Sequence, residues 1–506
     1  MKIQNDLLKI GTALLLVLLH QIAFAQPAAE TPVGRLAAKL INALNSGSET
    51  NWAQFINDRI DLTAGDLAAD DWLKKFENFH ERNGVVELSD MEPGRDPDEV
   101  KLVLKSRIRN QKIEMLTHLS RDSSDQLIGF ICRPVTAPAA SSAADWPLVS
   151  LPEPGIVKEI ERHADEAFKN DTFSGAILIA RNDRVLLDKA YGMADQKNGI
   201  PNRTDTKFNV GSLNKMFTSV AIAQLAQAGK LSYDDTLAKI LPDYPNQTAA
   251  RKITIMELLN HTAGLGDFFK PEFFERPDDF VSLTNYLPLF AGEPLLFEPG
   301  TKWAYSNAGY IVLGLVIEKV SGENYFDYVR NHVFQPAGMT NKDSFEQDSV
   351  VPNRALGYAS DDGDPDRKMP RQANTTSLPV KGSSAGGGYS TTSDLLRFSQ
   401  ALLNHRLLDE ATTTMIMTGQ VDDRHMDSKY GCGFIDMTRS GQHIVGHNGG
   451  GPGISGAMYM LKDSGYVVIV LGNYSPPSAD ELAKEIGEFL ARQSSQNVKL
   501  AMLERN

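Results

Sequence analysis

The sequence predicts an α+β protein of two domains, the larger folding an antiparallel sheet flanked by helices together with a mostly helical subdomain. Three observations lead there. Residues 32–135 show apolar spacing of helical period first and of strand period afterwards. Residues 136–155 are rich in Ala, Ser and Pro and carry no periodicity, the composition of a linker. Residues 156–492 have strand patterns at both ends and apolar helical patterns between them.

In the smaller domain Leu36, Leu40, Ile41 and Leu44 recur at helical spacing. Trp52, Phe55 and Ile56 continue a second such stretch, and Trp72, Phe76 and Phe79 a third. Strand-like runs follow at 85–88, 100–104, 113–119 and 127–132, punctuated by Pro93-Gly94, Pro97 and the polar 121–125. In the larger domain a helix at 156–168 leads into strands at 174–180 and 185–191, joined as a hairpin through Asn182-Asp183. Strands at 456–461 and 466–472 and a helix at 478–492 close it, so strands from the two ends are expected in one sheet. Residues 493–506 read as a polar tail.

Acidic residues outnumber basic ones, 64 against 51, for a formal net charge of -13 over 506 residues. Such a surface repels phosphate backbones, so nucleic acid is excluded as a partner. At the N-terminus Lys2 and Lys9 precede an apolar run from Ile10 to Phe24, and Ala23-Phe24-Ala25 supplies a small-x-small cleavage pattern. Residues 1–25 are therefore expected to be a signal peptide, giving a periplasmic or secreted protein without a stable membrane anchor. The alternative, an uncleaved anchor, needs about 20 apolar residues, more than this run offers before His20 and Gln21. Cys132 and Cys432 fall in different domains and read as two small buried hydrophobes.

Three stretches carry chemistry. In Val210-Gly211-Ser212-Leu213-Asn214-Lys215, Ser212 opens a helix whose residues Leu213, Met216, Phe217, Val220 and Ile222 are apolar all round. Free N–H groups and the helix dipole favour negative charge there. Lys215 lies three residues on, on the same face, and a lysine in a dry site gives up its proton readily. The alternative, a capping Ser followed by a solvated Lys, sits badly with a helix that has no polar face. The second stretch is Tyr305-Ser306-Asn307, on a loop after Pro299-Gly300 and ahead of a packed helix. On their own these read as a packing Tyr and a capping Asn. The third is Gly446-His447-Asn448-Gly449-Gly450-Gly451, before a strand, where glycines let a ligand approach the backbone. His443 and His447 have no third ligand nearby, so no metal is expected, and nothing calls for a cofactor.

Together and in this order, Ser212-Leu213-Asn214-Lys215, Tyr305-Ser306-Asn307 and His447-Asn448-Gly449 resemble the motifs of the penicillin-recognising serine hydrolases. Leu258-Leu259-Asn260-His261-Thr262-Ala263-Gly264-Leu265 and Gly386-Gly387-Gly388-Tyr389-Ser390-Thr391 resemble further family stretches. The similar branch is that of class C β-lactamases, D-Ala-D-Ala carboxypeptidases, D-aminopeptidases and esterases. The resemblance implies a β-lactamase/transpeptidase-like fold over 156–492. It implies an acyl-enzyme on Ser212, with Lys215 and Tyr305 sharing the proton transfers and either one as base. It further implies substrate contacts from Asn307, His447 and Gly449, with the N–H groups of Ser212 and Gly450 as oxyanion hole. The substrate expected is a small ester, amide or D-amino-acid peptide. The alternatives are a cell-wall-fragment or β-lactam sensor and a true β-lactamase. His447 stands where β-lactamases usually carry Lys. Residues 32–135 resemble the nuclear-transport-factor-like cone domain in element order and length, an accessory piece available for docking or oligomer formation.

Overall fold

The computed structural model describes residues 32–61, 69–93, 99–107, 112–119, 126–135, 146–359, 371–376, 378–423 and 428–503. The expected signal at 1–25 and residues 136–145 of the expected linker lie outside the described residues. The chain divides into a smaller unit, holding the described residues up to 135, and a larger one holding those from 146 onward.

In the smaller unit, helices Pro32–Asn45, Glu49–Arg59 and Ala69–Asn83 precede strands Val86–Pro93, Glu99–Ser106, Lys112–Leu119 and Leu127–Val135. The strands pair antiparallel in sequence order. The helices bury Leu40, Leu44, Phe55, Trp72 and Phe76 against Leu102, Met115 and Phe130 of the sheet. The side chain of Cys132 lies outside the described residues; Cys432, in the larger unit, is a buried free thiol.

The larger unit is built on an eight-stranded sheet. Its order is Val421–Asp423, Ser428–Tyr430, Ile435–Arg439, Gln442–Gly451, Ile454–Leu461, Tyr466–Gly472, Gly175–Arg181, Arg184–Tyr191. Every neighbouring pair is antiparallel, and the hairpin turns at Asn182-Asp183. Strands from the two ends of the unit thus meet in the middle, Tyr466–Gly472 against Gly175–Arg181. Alternation sorts the side chains to two faces. Ala176, Leu178, Val467, Ile469 and Met458 join a core with helices Asn214–Gln227, Asn307–Ser321 and Thr392–Leu403. Ile177, Ile179, Val468, Val470 and Tyr459 join the other, against helices Glu153–Lys169 and Ala479–Leu503. Both faces being covered, the central strands read as unbroken apolar runs.

The composition suggests a linker up to 155 and a tail from 493, but the described parts of both pack on each other. Trp146, 2% exposed, stacks on His163 with ring centroids 3.6 Å apart and tilts against Phe489 at 4.5 Å. The last helix runs on to Leu503. Gln493 donates to Val149 O at 2.9 Å and accepts from Leu151 N at 2.8 Å, and Gln496 donates to Leu148 O. A lone Trp among Ala and Pro gives no periodicity, and amides that cap a neighbouring backbone look like solvated surface in sequence. Trp146→Ala should therefore lower the stability of the larger unit by about 3–5 kcal/mol, the usual cost of emptying a buried Trp site. Urea denaturation measures it, and an unchanged midpoint would mean that Trp146 contributes nothing to the core.

Candidate active site

The sheet, the apolar helix and two loops converge on Ser212. Ser212 lies in a tight turn, Gly211–Leu213, that runs straight into the helix Asn214–Gln227. That helix buries ten or more of its side chains because it is wrapped on all sides, and Lys215 is 0% exposed. Its Nζ lies 3.2 Å from Ser212 Oγ, 2.8 Å from Asn307 Oδ1 and 2.5 Å from Ala385 O. The rings of Tyr305 and Tyr310 lie beneath it, 4.7 and 5.3 Å from Nζ to centroid. Burial draws the Lys215 pKa down to about 7, opposed by the smaller pull of the Asp267 charge.

Asn307 is the first residue of its helix, capped by Ser306, whose Oγ accepts from Gly309 N and donates to Gly266 O. This fastens the helix start to the loop carrying Asp267. Asp267 Oδ2 accepts from Asn307 Nδ2 at 2.8 Å and from Asn307 N at 3.2 Å. The amide is thereby oriented with its oxygen towards Lys215. Tyr305 is 38% exposed as a residue, yet its phenol is buried beside Ser212, and that burial pushes its pKa well up.

His447 and the glycines come from the end of strand Gln442–Gly451, beyond the last residue that pairs with Ile435–Arg439. His447 Nδ1 lies against Asn448 O, so Nδ1 carries the proton and Nε2 accepts from Tyr430 OH at 2.9 Å. Burial and the nearby Lys215 hold its pKa at about 3, so the ring is neutral. His261, ringed by Tyr305, Tyr310 and Tyr430, is held neutral by burial as well. A Cβ on Gly449 would lie 2.3 Å from Val210 O and 2.8 Å from Ser212 N; one on Gly211 would lie 3.0 Å from Gly450 N. Only glycine lets this strand close on the Ser212 turn.

Ser212, Lys215, Tyr305, Asn307, His447, Gly449 and Gly450 thus lie together around the Ser212 turn. His443 stands apart, its Nε2 2.6 Å from Asp436 Oδ1. No group of side chains suited to a metal ion occurs among the described residues. Sequence reasoning missed Asp267, Tyr430 and the Ala385 carbonyl. Asp267 follows the Leu258–Leu265 motif by two residues, a signal that could have drawn attention to it. A backbone carbonyl leaves none.

Residues 157–492 match the family described as Beta-lactamase. Penicillin-binding protein 4* of Bacillus subtilis (strain 168) is 33% identical over 314 residues, 60% of this chain and 68% of the relative. A penicillin-binding protein from Bacillus halodurans superposes with a TM-score of 0.57 at 32% identity, covering 68% of this chain and 99% of that one. A D-stereospecific amidohydrolase from Streptomyces sp. gives 0.55 at 25% identity, covering 66% and 98%.

The Lys215 amine should titrate near 7, readable by NMR of 13C-methylated or isotope-labelled lysine. Asp267→Asn removes a charge that favours the ammonium, so it should move the titration lower still. A Lys215 midpoint near 10.5 would contradict the burial argument.

Proposed function

The chain belongs to the β-lactamase family of penicillin-recognising serine hydrolases, and from that premise we propose that it hydrolyses small esters or amides through an acyl-enzyme on Ser212. The observation that carries this reading is the environment of the Lys215 amine. A neutral amine has two N–H bonds and one lone pair. Asn307 Oδ1 and Ala385 O are pure acceptors and take the two protons. The remaining direction, towards Ser212 Oγ, is the lone pair. Lys215 is therefore the base, and Tyr305, whose phenol keeps its proton, relays protons on the leaving-group side.

In the first half-reaction Ser212 Oγ attacks the acyl carbonyl while its proton passes to Lys215. The oxygen that becomes negative lies between the N–H groups of Ser212 and Gly450, each such donor contributing about 3–4 kcal/mol. Collapse breaks the bond to the leaving group, which takes a proton from Lys215 through Tyr305. Water, giving a proton to the same amine, then attacks the ester on Ser212; the bond from the acyl carbon to Ser212 Oγ breaks, the amine returns the proton to Oγ, and the acid is released. Asn307 orients Lys215 in the free enzyme; substrate would take its Nδ2 from Asp267.

Substrate class follows from charge. His447 is neutral where a lysine would place a fixed cation, so this residue supplies no charge for a substrate carboxylate. Esters, amides and D-amino-acid amides fit this better than D-Ala-D-Ala termini or β-lactams. A second reading, acylation by cell-wall-like ligands with little turnover, is favoured by the relatives that are penicillin-binding proteins. The signal-like residues 1–25 support action outside the cytoplasm, and no helix among the described residues is long and apolar enough to cross a membrane. The smaller unit serves as an accessory domain of the cone type.

Ser212→Ala should abolish hydrolysis of p-nitrophenyl esters and labelling by a fluorophosphonate, with intact mass placing the wild-type adduct on Ser212. An adduct elsewhere would sink the assignment. Lys215→Ala and Tyr305→Phe should each cut turnover by about a hundredfold or more, and non-additively, since both act on one proton path. A double-mutant loss equal to the product of the singles would argue for separate roles. Screened side by side, esters and D-amino-acid amides should turn over faster than a chromogenic β-lactam; a long-lived penicillin adduct without turnover would favour the sensor reading.

A further inference from the structure

A second lysine is buried behind the site and takes no part in the steps above. Lys342 is 5% exposed and stands one residue before Asp343, whose backbone bridges to Tyr389. Its Nζ lies over the rings of Phe217 and Phe334, 5.1 and 5.2 Å from their centroids. It also fills the space beside Gly388, where a Cβ would come within 2.6 Å of it. Burial draws its pKa to about 7, against smaller opposing effects of Asp343 and Asp394. An amine in such surroundings costs stability that an apolar side chain would not.

Its hydrogen bond is to Asn214, the residue before Lys215: Nζ donates to Asn214 Oδ1 at 2.9 Å. That fixes which way the amide faces. Asn214 Nδ2 then donates to Ser383 O at 2.7 Å and to Tyr325 OH at 3.3 Å. Thr218 donates to Ser384 O at 2.7 Å, so its Oγ1 accepts from Tyr325 OH at 2.8 Å. The next carbonyl, Ala385 O, is the one that accepts from Lys215. One helix therefore holds three consecutive carbonyls, of residues 383, 384 and 385, and the donors to the first two run one way from Lys342. Without Lys342 the buried Asn214 Oδ1 would lose its donor, and the amide would shift to find another, drawing Nδ2 off Ser383 O.

We propose that Lys342 is a positioning residue for the hydrolytic site: through Asn214 it locks the 383–385 strap, so that the Ala385 carbonyl keeps its hold on one Lys215 proton and the lone pair stays aimed at Ser212. The inference rests on the reading of Lys215 as base.

Lys342→Met keeps the length and removes the donor. It should lower kcat on a p-nitrophenyl ester by about ten- to a hundredfold, the scale of a misplaced catalytic group, with KM held within about twofold and no drop in thermal midpoint. Asn214→Ala should lose a similar factor, and the double variant no more than either single. Asn214→Asp gives a second test should Lys342→Met not fold. It keeps an acceptor for Lys342 but sets another acceptor against Ser383 O, and should also lose kcat without raising KM. A folded Lys342→Met or Asn214→Asp with wild-type kcat, or single losses that multiply, would overturn the proposal. Lys215→Ala is measured alongside. If it keeps turnover near the wild-type rate, the base assignment falls and this inference with it; if it loses about a hundredfold or more while Lys342→Met is fully active, the inference alone falls.

Discussion

A lysine amine buried without a counter-ion is the constraint around which the larger unit is arranged. Lys215 is fully enclosed, and the carboxylate that acts on it, Asp267, reaches it through the Asn307 amide. A pKa near 7 in place of 10.5 means that the fold favours the neutral amine by about 5 kcal/mol. Such an amine is stable only if both its protons meet acceptors, and the acceptors come from distant parts of the chain, Asn307 at the start of one helix and Ala385 in a loop. The all-apolar helix, the capped helix start and the strap are each a way of meeting that requirement.

The histidines and the phenol around the site are kept uncharged too. His447 and His261 are too buried to ionise near neutrality, and the Tyr305 phenol holds its proton. Ser212 therefore faces oriented dipoles more than fixed charges. Dipoles already in place need no reorganisation when charge develops on an oxygen, and in a dry cleft they act strongly. The close approach of the strand to the Ser212 turn serves the same end, since a side chain on Gly449 or Gly211 would push the strand and its N–H groups away.

Much of this was legible in the sequence, for identifiable reasons. The apolar runs at 174–180 and 466–472 announced strands of one sheet drawn from both ends of the unit, and the unbroken apolar pattern after Ser212 announced a helix with no solvent side. Motif residues separated by more than 90 positions were expected in one place, and the fold brings Lys215 and Asn307 to 2.8 Å. What stayed hidden was carried by backbone atoms or by residues without a pattern. Ala385 contributes a carbonyl, Trp146 is a single aromatic in a Pro- and Ala-rich stretch, and Gln493 caps a neighbouring backbone from what looked like a polar tail. Lys342 reads as one more surface lysine, because sequence does not reveal that Phe217 and Phe334 close over it.

The central claim is that the amine of Lys215 works in its neutral form, and the pH dependence of kcat/KM on a neutral ester tests it most directly. The neutral fraction grows as pH rises, so kcat/KM should climb about tenfold per pH unit below 7 and level off above it. His447, at about 3, contributes no limb in this range, and because Lys342 is also drawn to about 7 the limb must persist in Lys342→Met. A profile that is flat through neutrality, or that keeps climbing towards pH 10, would contradict the account.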